Sequence, residues 1–461
     1  MPVSISVNPK IAEMEYAVRG PIPIRAAEMA RQGKKTVLCN IGNPQAFGQT
    51  PISYYREALS LLESPERIAR ERKLGVVSET ILEICEGMLA QLPSGVGAYT
   101  ESQGPLFIRK AVAKFIDQRD GVSRSGGVAA DPEKIFLTNG ASEAARNLID
   151  LLISGPRDGI MIPIPQYPLY SASIKRAGGV QVNYYLDEES GWTLNKPILE
   201  KAFAQAKRKG IRVKAIVVIN PGNPTGAILP ASAMTEVVEF AQERGLAILA
   251  DEVYQENLYG AEFVSFAKLV GTREVPLFSL HSTSKGFCGE CGRRGGYVEI
   301  RNPPRVKNSK LSFPELLFKQ ASVSLCSNTI GQALTYLMVT PPPKGSSTAK
   351  QFAEERGRVL SSLYEKAEMI RGAFRKMNGV ECFGRTGALY LFPRLDRLPR
   401  GTNDFDYCMN LLESTGLCTV NGAGFGQRPG TNHLRVAFLP PREMLEEVLP
   451  AWVKFHNAYV K

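Results

Sequence analysis

Histidine is scarce. The 461 residues contain three, His281, His433 and His456, which argues against a histidine-based metal site. Cysteine is sparse too. Eight residues, at 39, 85, 288, 291, 326, 382, 408 and 418, are far too few to staple a chain this long. Free thiols in a reducing, cytoplasmic setting are therefore expected. No apolar stretch approaches the ~18–20 residues of a membrane span. The opening MPVSISVNPKIAEMEYAVRG has no apolar core of the secretory type, so neither a membrane partner nor a leader is expected. Nothing in the composition points to collagen, low complexity or disorder: the hydrophobic share is 44% and the charged share 22%. Long runs of like charge are missing as well. The net charge of +11 is dispersed, with only short clusters at 207–209 and Arg293-Arg294. It reads as a solvated surface with local sites for small anions, not as a nucleic-acid footprint.

What is present is length and alternation. A chain this long divides into domains, because single cores stop growing at roughly 250–300 residues. Short apolar runs read as buried strands at Ile135–Thr138, Ile160–Ile162, Ala215–Ile219, Ala247–Ala250, Leu277–Leu280 and Gly296–Ile300. Helical periods lie between several of them, as at Glu143–Ile153 and at Met234, Val237, Val238 and Ala241. Strands that are apolar throughout and alternate with helices predict an α/β domain on a mostly parallel, doubly covered sheet. It spans 85–340. PPPKGSSTAK at 341–350 reads as a linker. A charged helix follows at about Gln351–Met377, then strand-like pieces at Ala388–Phe392 and Leu434–Phe438. Residues 341–461 form a smaller α+β domain, joined by a Pro-punctuated arm at 1–84.

Four features fall at the ends of predicted strands, where open α/β sheets place ligands. Thr138-Asn139-Gly140-Ala141-Ser142 joins a strand to a helix N-terminus, an anion site by geometry. Asn220-Pro221-Gly222-Asn223-Pro224-Thr225-Gly226 aims two side chains through two Asn-Pro steps. Asp251 stands just beyond the run LAILA, where a carboxylate is costly without a cationic partner such as a protonated ring nitrogen. Lys285, in HSTSKG, is placed to act as an amine nucleophile forming Schiff bases, and nearby hydroxyls and Arg294 suit a phosphate. Together they provide what pyridoxal 5′-phosphate needs: a lysine, an acid for the ring nitrogen, donors to the phenolic oxygen and an anion cradle.

With a late arginine in HLRVAF (433–438), this ordered set resembles the fold-type I aminotransferases over nearly the whole chain. Within them the alanine aminotransferases are the nearest likeness. It rests on VNPKIAEMEYAVRGPIPIRA (7–26), NIGNPQAFGQTPISYYRE (40–57), GAYTESQG (97–104), IPQYPLYSA (164–172), STSKGFCGECGRRGGYVE (282–299) and GFGQRPGTNHLRVAFLPP (424–441). The resemblance implies a fold-type I enzyme that moves the amino group of L-alanine to 2-oxoglutarate by a ping-pong mechanism. It also implies roles. Lys285 would hold the cofactor and shuttle the proton. Asp251 would face the pyridine nitrogen, and Asn223 and Tyr254 the phenolic oxygen. Ala141, Ser142, Ser282 and Arg294 would hold the phosphate. Tyr167 would stack on the ring, and Tyr99 would reach the phosphate of a neighbouring subunit in a homodimer. Arg435 would grip the substrate carboxylate, with Gly42 beside it. The phosphate arginine is eight residues after the lysine in common members, here Arg293. It is nine after in the alanine type, here Arg294, and the latter is favoured.

Other signals read as structural. Cys288-x-x-Cys291 lacks a second pair, Gly422-x-Gly424-x-Gly426 lacks the strand and helix of a dinucleotide site, and His433 is not needed as a base beside Lys285. A different donor and acceptor pair, including glyoxylate, or a lyase of the same fold are the alternatives. No residue presents itself for the distal carboxylate of glutamate.

Overall fold

The computed structural model describes residues 4–14 and 20–461. Part of the arm segment at 7–26 lies outside them. Seven strands form one sheet: β1 (Ile135–Leu137), β2 (Asp158–Ile164), β3 (Val180–Tyr185), β4 (Arg212–Ile219), β5 (Ala247–Asp251), β6 (Leu277–Ser282) and β7 (Gly296–Arg301). Their order is β1-β7-β6-β5-β4-β2-β3. All the expected strands are present. Their residues are buried on both faces, which is why they read as continuous apolar runs. β3 is an addition. Val180, Val182 and Tyr184 alternate there with Gln181 and Asn183, as suits a strand at the sheet edge with one face in water.

The chain divides into two compact units, each assembled from separate segments. The first comprises Met1–Gly42, Leu148–Ile248 and Leu363–Lys461; the second comprises Asn43–Asn147 and Leu249–Ser362. In the first unit β2 pairs in parallel with both β3 and β4. In the second, β7 pairs antiparallel with β6 and with β1.

Three further strands matter to the first unit: β8 (Tyr390–Leu391), β9 (Val420–Asn421) and β10 (Leu434–Ala437), in the order β8-β10-β9. The run expected at Ala388–Phe392 pairs over only two residues; Ala388 has a positive φ of 51°, which breaks the extended run. The long helix runs Ser347–Phe374, one turn earlier than the Pro/Gly composition suggested. Ser346 explains the start, since its hydroxyl accepts from Ala349 N at 3.1 Å and caps the first turn.

Candidate functional site

In the second unit, β1 ends at Leu137 and a helix, α1 (Ala141–Leu152), begins four residues later. Gly140 makes this turn possible. Its φ is +75°, and a Cβ there would lie 2.7 Å from Arg294 Nη2. Arg294 Nη2 donates to Asn139 O at 2.8 Å and to Ser142 Oγ at 3.3 Å, and Nη1 donates to Cys291 O at 3.0 Å. Among the described residues no carboxylate lies within ion-pair distance of this guanidinium. Arg293 points elsewhere, toward Glu63 at 3.8 Å and Glu290 at 4.0 Å. A helix N-terminus, a hydroxyl and a cation without an acid thus converge beside Ala141 and Ser142.

The loop after β6 carries Lys285 on a scaffold of hydroxyl bonds. Ser282 Oγ and Thr283 Oγ1 both donate to Gly295 O at 3.2 Å, and Ser284 N donates to Ser282 Oγ at 3.1 Å. Asn257 clamps the next residue: its Oδ1 accepts from Gly286 N at 2.9 Å, and its Nδ2 donates to Gly286 O at 3.4 Å. Asn257 was not visible in the sequence, since its partner is 29 residues away. Lys285 Nζ lies 5.9 Å from the centre of the Tyr254 ring. Asp251 ends β5, buried, and Tyr254 is buried three residues on. Tyr99 stands apart and is 78% exposed.

Behind Asp251 the sequence continues into a buried charge network that sequence reasoning also missed. Glu252 accepts from Phe266 N at 2.8 Å. Burial raises its carboxyl to about 7, with Arg119 opposing. Arg119 forks onto Asp120 at 2.8 Å twice and reaches Gln255 at 3.1 Å. His281 is pushed down to about 3, first by burial and then by Arg119.

In the first unit, the turn after β4 is fixed by its own side chains. Asn220 Oδ1 accepts from Leu229 N at 2.9 Å, and Thr225 Oγ1 accepts from Ala227 N at 3.2 Å. Asn223 Oδ1 accepts from Arg435 Nη1 at 3.0 Å, and Arg435 Nη2 donates to Asn40 O. Arg435 projects from β10 and is 1% exposed. Its guanidinium lies between the Tyr390 ring, at 4.2 Å, and the Phe425 ring, at 4.6 Å. Its Nε has no hydrogen-bond partner, and among the described residues no carboxylate pairs with it. A buried cation in that state is costly unless an anion completes it. Gly42 is two residues from Asn40, and Tyr167 follows Gln166, whose N–H donates to Phe425 O at 2.8 Å. Both are half-buried.

The remaining motifs are structural here. Gly422–Phe425 forms a single 3₁₀ turn. Cys288 is buried, and Cys291 Sγ donates to Ser284 O at 3.1 Å.

The profile of the family "Aminotransferase class I and II" matches residues 70–451. Human alanine aminotransferase 1 is 42% identical over 489 residues, covering 98% of this chain and 94% of its own. Glutamate–glyoxylate aminotransferase 1 of Arabidopsis thaliana is 39% identical, covering 99% and 96%. Among solved structures, alanine aminotransferase from Pyrococcus furiosus superposes with a TM-score of 0.78 at 28% identity, covering 98% of this chain and all of that one.

Proposed function

The chain belongs to the class I and II aminotransferases, and we propose that it transfers the amino group of L-alanine to 2-oxoglutarate, giving pyruvate and L-glutamate. Enzymes of this family depend on pyridoxal 5′-phosphate. The residues present suit that group: the cradle at Gly140 would be filled by a Cβ, and among the described residues Arg294 has no acid beside it and the buried Ser284 Oγ has no partner. When bound, the cofactor supplies an electron sink for the carbanion at the substrate Cα.

The chain's own groups do the rest. Lys285 Nζ would hold the cofactor covalently and, once the substrate amine displaces it, the freed amine would take the proton from the substrate Cα as a positioned base. Asp251 would keep a proton on the pyridine nitrogen, and Tyr254 and Asn223 would donate to the phenolic oxygen. Ala141, Ser142, Ser282 and Arg294 would hold the phosphate, and Tyr167 would pack on the ring. Arg435 forks onto the substrate carboxylate, with Asn223 and Gly42 beside it. The observation that carries this reading is Arg435, a buried guanidinium with an open Nε and, among the described residues, no acid partner.

The choice of alanine rests on the named relatives. A glutamate–glyoxylate enzyme is the second reading, favoured by the 39% identity to that Arabidopsis protein. A steady-state screen separates them: L-alanine with 2-oxoglutarate gives the highest kcat/KM on the first reading, and glyoxylate as the preferred acceptor would overturn it. The exposed Tyr99 suits a homodimer in which it serves the neighbouring phosphate. Sedimentation tests this, and a monomer with full activity would refute it. The eight free thiols suit a cytoplasmic setting, which cell fractionation checks.

A further inference from the structure

His433 precedes Arg435 by two residues, so both side chains leave the same face of one extended segment. The ring is 2% exposed and held at every side. Nε2 faces Glu188 Oε1 at 2.9 Å, and Nδ1 faces Gln427 Oε1 at 2.8 Å. The Gln427 amide is oriented by its own Nε2, which donates to Asp404 Oδ2 at 2.7 Å. Both ring nitrogens therefore face a side-chain oxygen, and the ring is held at both edges. One face lies flat on Phe392, centroids 4.9 Å apart at 2°. Trp192 meets it edge-on at 5.6 Å. Gly422 leaves the room: a Cβ there would come within 2.7 Å of both His433 Cβ and Gln427 Oε1.

From this ring two routes lead to Arg435. Phe392 meets Phe425 edge-on at 6.0 Å, and Phe425 is the lower wall of the guanidinium slot. Asp404 Oδ2 also accepts from Ala423 N at 2.9 Å, which pins the turn that carries Phe425. We propose that His433 is a positioning residue for Arg435. With Glu188, Gln427 and Asp404 it fixes the strand and the aromatic wall that aim the guanidinium at a carboxylate. This rests on the reading that Arg435 binds the substrate carboxylate. A bidentate fork tolerates little misalignment, so a loosened ring should weaken carboxylate binding before it affects the proton chemistry at Lys285.

The test uses the cofactor-loaded enzyme with propionate, a carboxylate without an amino group, as competitive inhibitor. His433→Asn should raise the propionate Ki and the L-alanine KM together by about 10-fold and change kcat by less than about 3-fold. The cofactor absorbance should be unaltered. Glu188→Gln should move both constants in the same direction by a smaller factor, and it carries the test alone if His433→Asn does not fold. A lower melting temperature with unchanged Ki and KM in either folded variant would make the ring merely structural and overturn the proposal. Arg435→Lys is the control. If it leaves the propionate Ki unchanged, the carboxylate reading itself fails, whatever the His433 result.

Discussion

Among the described residues neither Arg294 nor Arg435 is paired with an acid, yet the two are built differently. Arg294 is half-buried, leans on backbone carbonyls and a hydroxyl, and stands at a helix N-terminus whose amides share the work. Arg435 is fully buried between two rings and bonds two oxygens, with its Nε left open. The first arrangement suits a resident anion that is held continuously by many donors. The second suits an anion that comes and goes, because the whole recognition falls on one fork and a desolvated slot. Their separation into two units means each can be disabled alone.

The largest effect should come from neither arginine. Lys285→Ala should cut turnover about 10³-fold or more and abolish covalent cofactor attachment, read by activity and absorbance. Next comes the pair that tests the contrast. Arg435→Lys keeps the charge and loses the fork, so KM for L-alanine and 2-oxoglutarate should rise about 10²-fold with cofactor affinity unchanged. Arg294→Ala should weaken cofactor affinity by about 10²-fold, the loss of charged hydrogen bonds of about 1.5–3 kcal/mol each, with KM for L-alanine little altered at saturating cofactor. Equal effects of both variants on both constants would erase the distinction. Gly140→Ala should cost cofactor affinity about 10-fold. It forces a side chain into a left-handed backbone and against Arg294.

The smallest effect is on stability. Burial lifts Glu252 from 4.5 to about 7, so the native state holds more of this proton than the unfolded chain between those values. Its contribution is present below about pH 4.5 and is lost as pH rises through 7. His281 works the other way: lowered from 6.5 to about 3, it destabilises as pH falls below 6.5. The two oppose each other between about pH 4.5 and 6.5, so the melting temperature should change little there and decline as pH rises from about 6.5 to 7.5. Glu252→Gln should flatten that decline and leave the acid-side loss in place.

Strands such as Ala247–Asp251 were legible because burial on both faces writes itself as an unbroken apolar run. The edge strand Val180–Tyr185 was not, because polar Gln181 and Asn183 interrupt its apolar run. Lys285 and Asn223 stood out because turns at strand ends use distinctive Pro, Gly and Ser spellings, and Asp251 because it follows an unbroken apolar run. Their supports did not. Asn257 holds Gly286 across 29 residues, and Glu188 holds His433 across 245. No local pattern encodes a pairing at that range. The arrangement of two units from interleaved segments is equally silent along the chain, since it depends on contacts and not on composition.

The decisive measurement is a half-reaction. L-alanine added alone to the cofactor-loaded enzyme should convert the cofactor absorbance stoichiometrically and release pyruvate, and 2-oxoglutarate should then restore the original band. No change with L-alanine, alongside conversion by a different amino acid, would contradict the assignment.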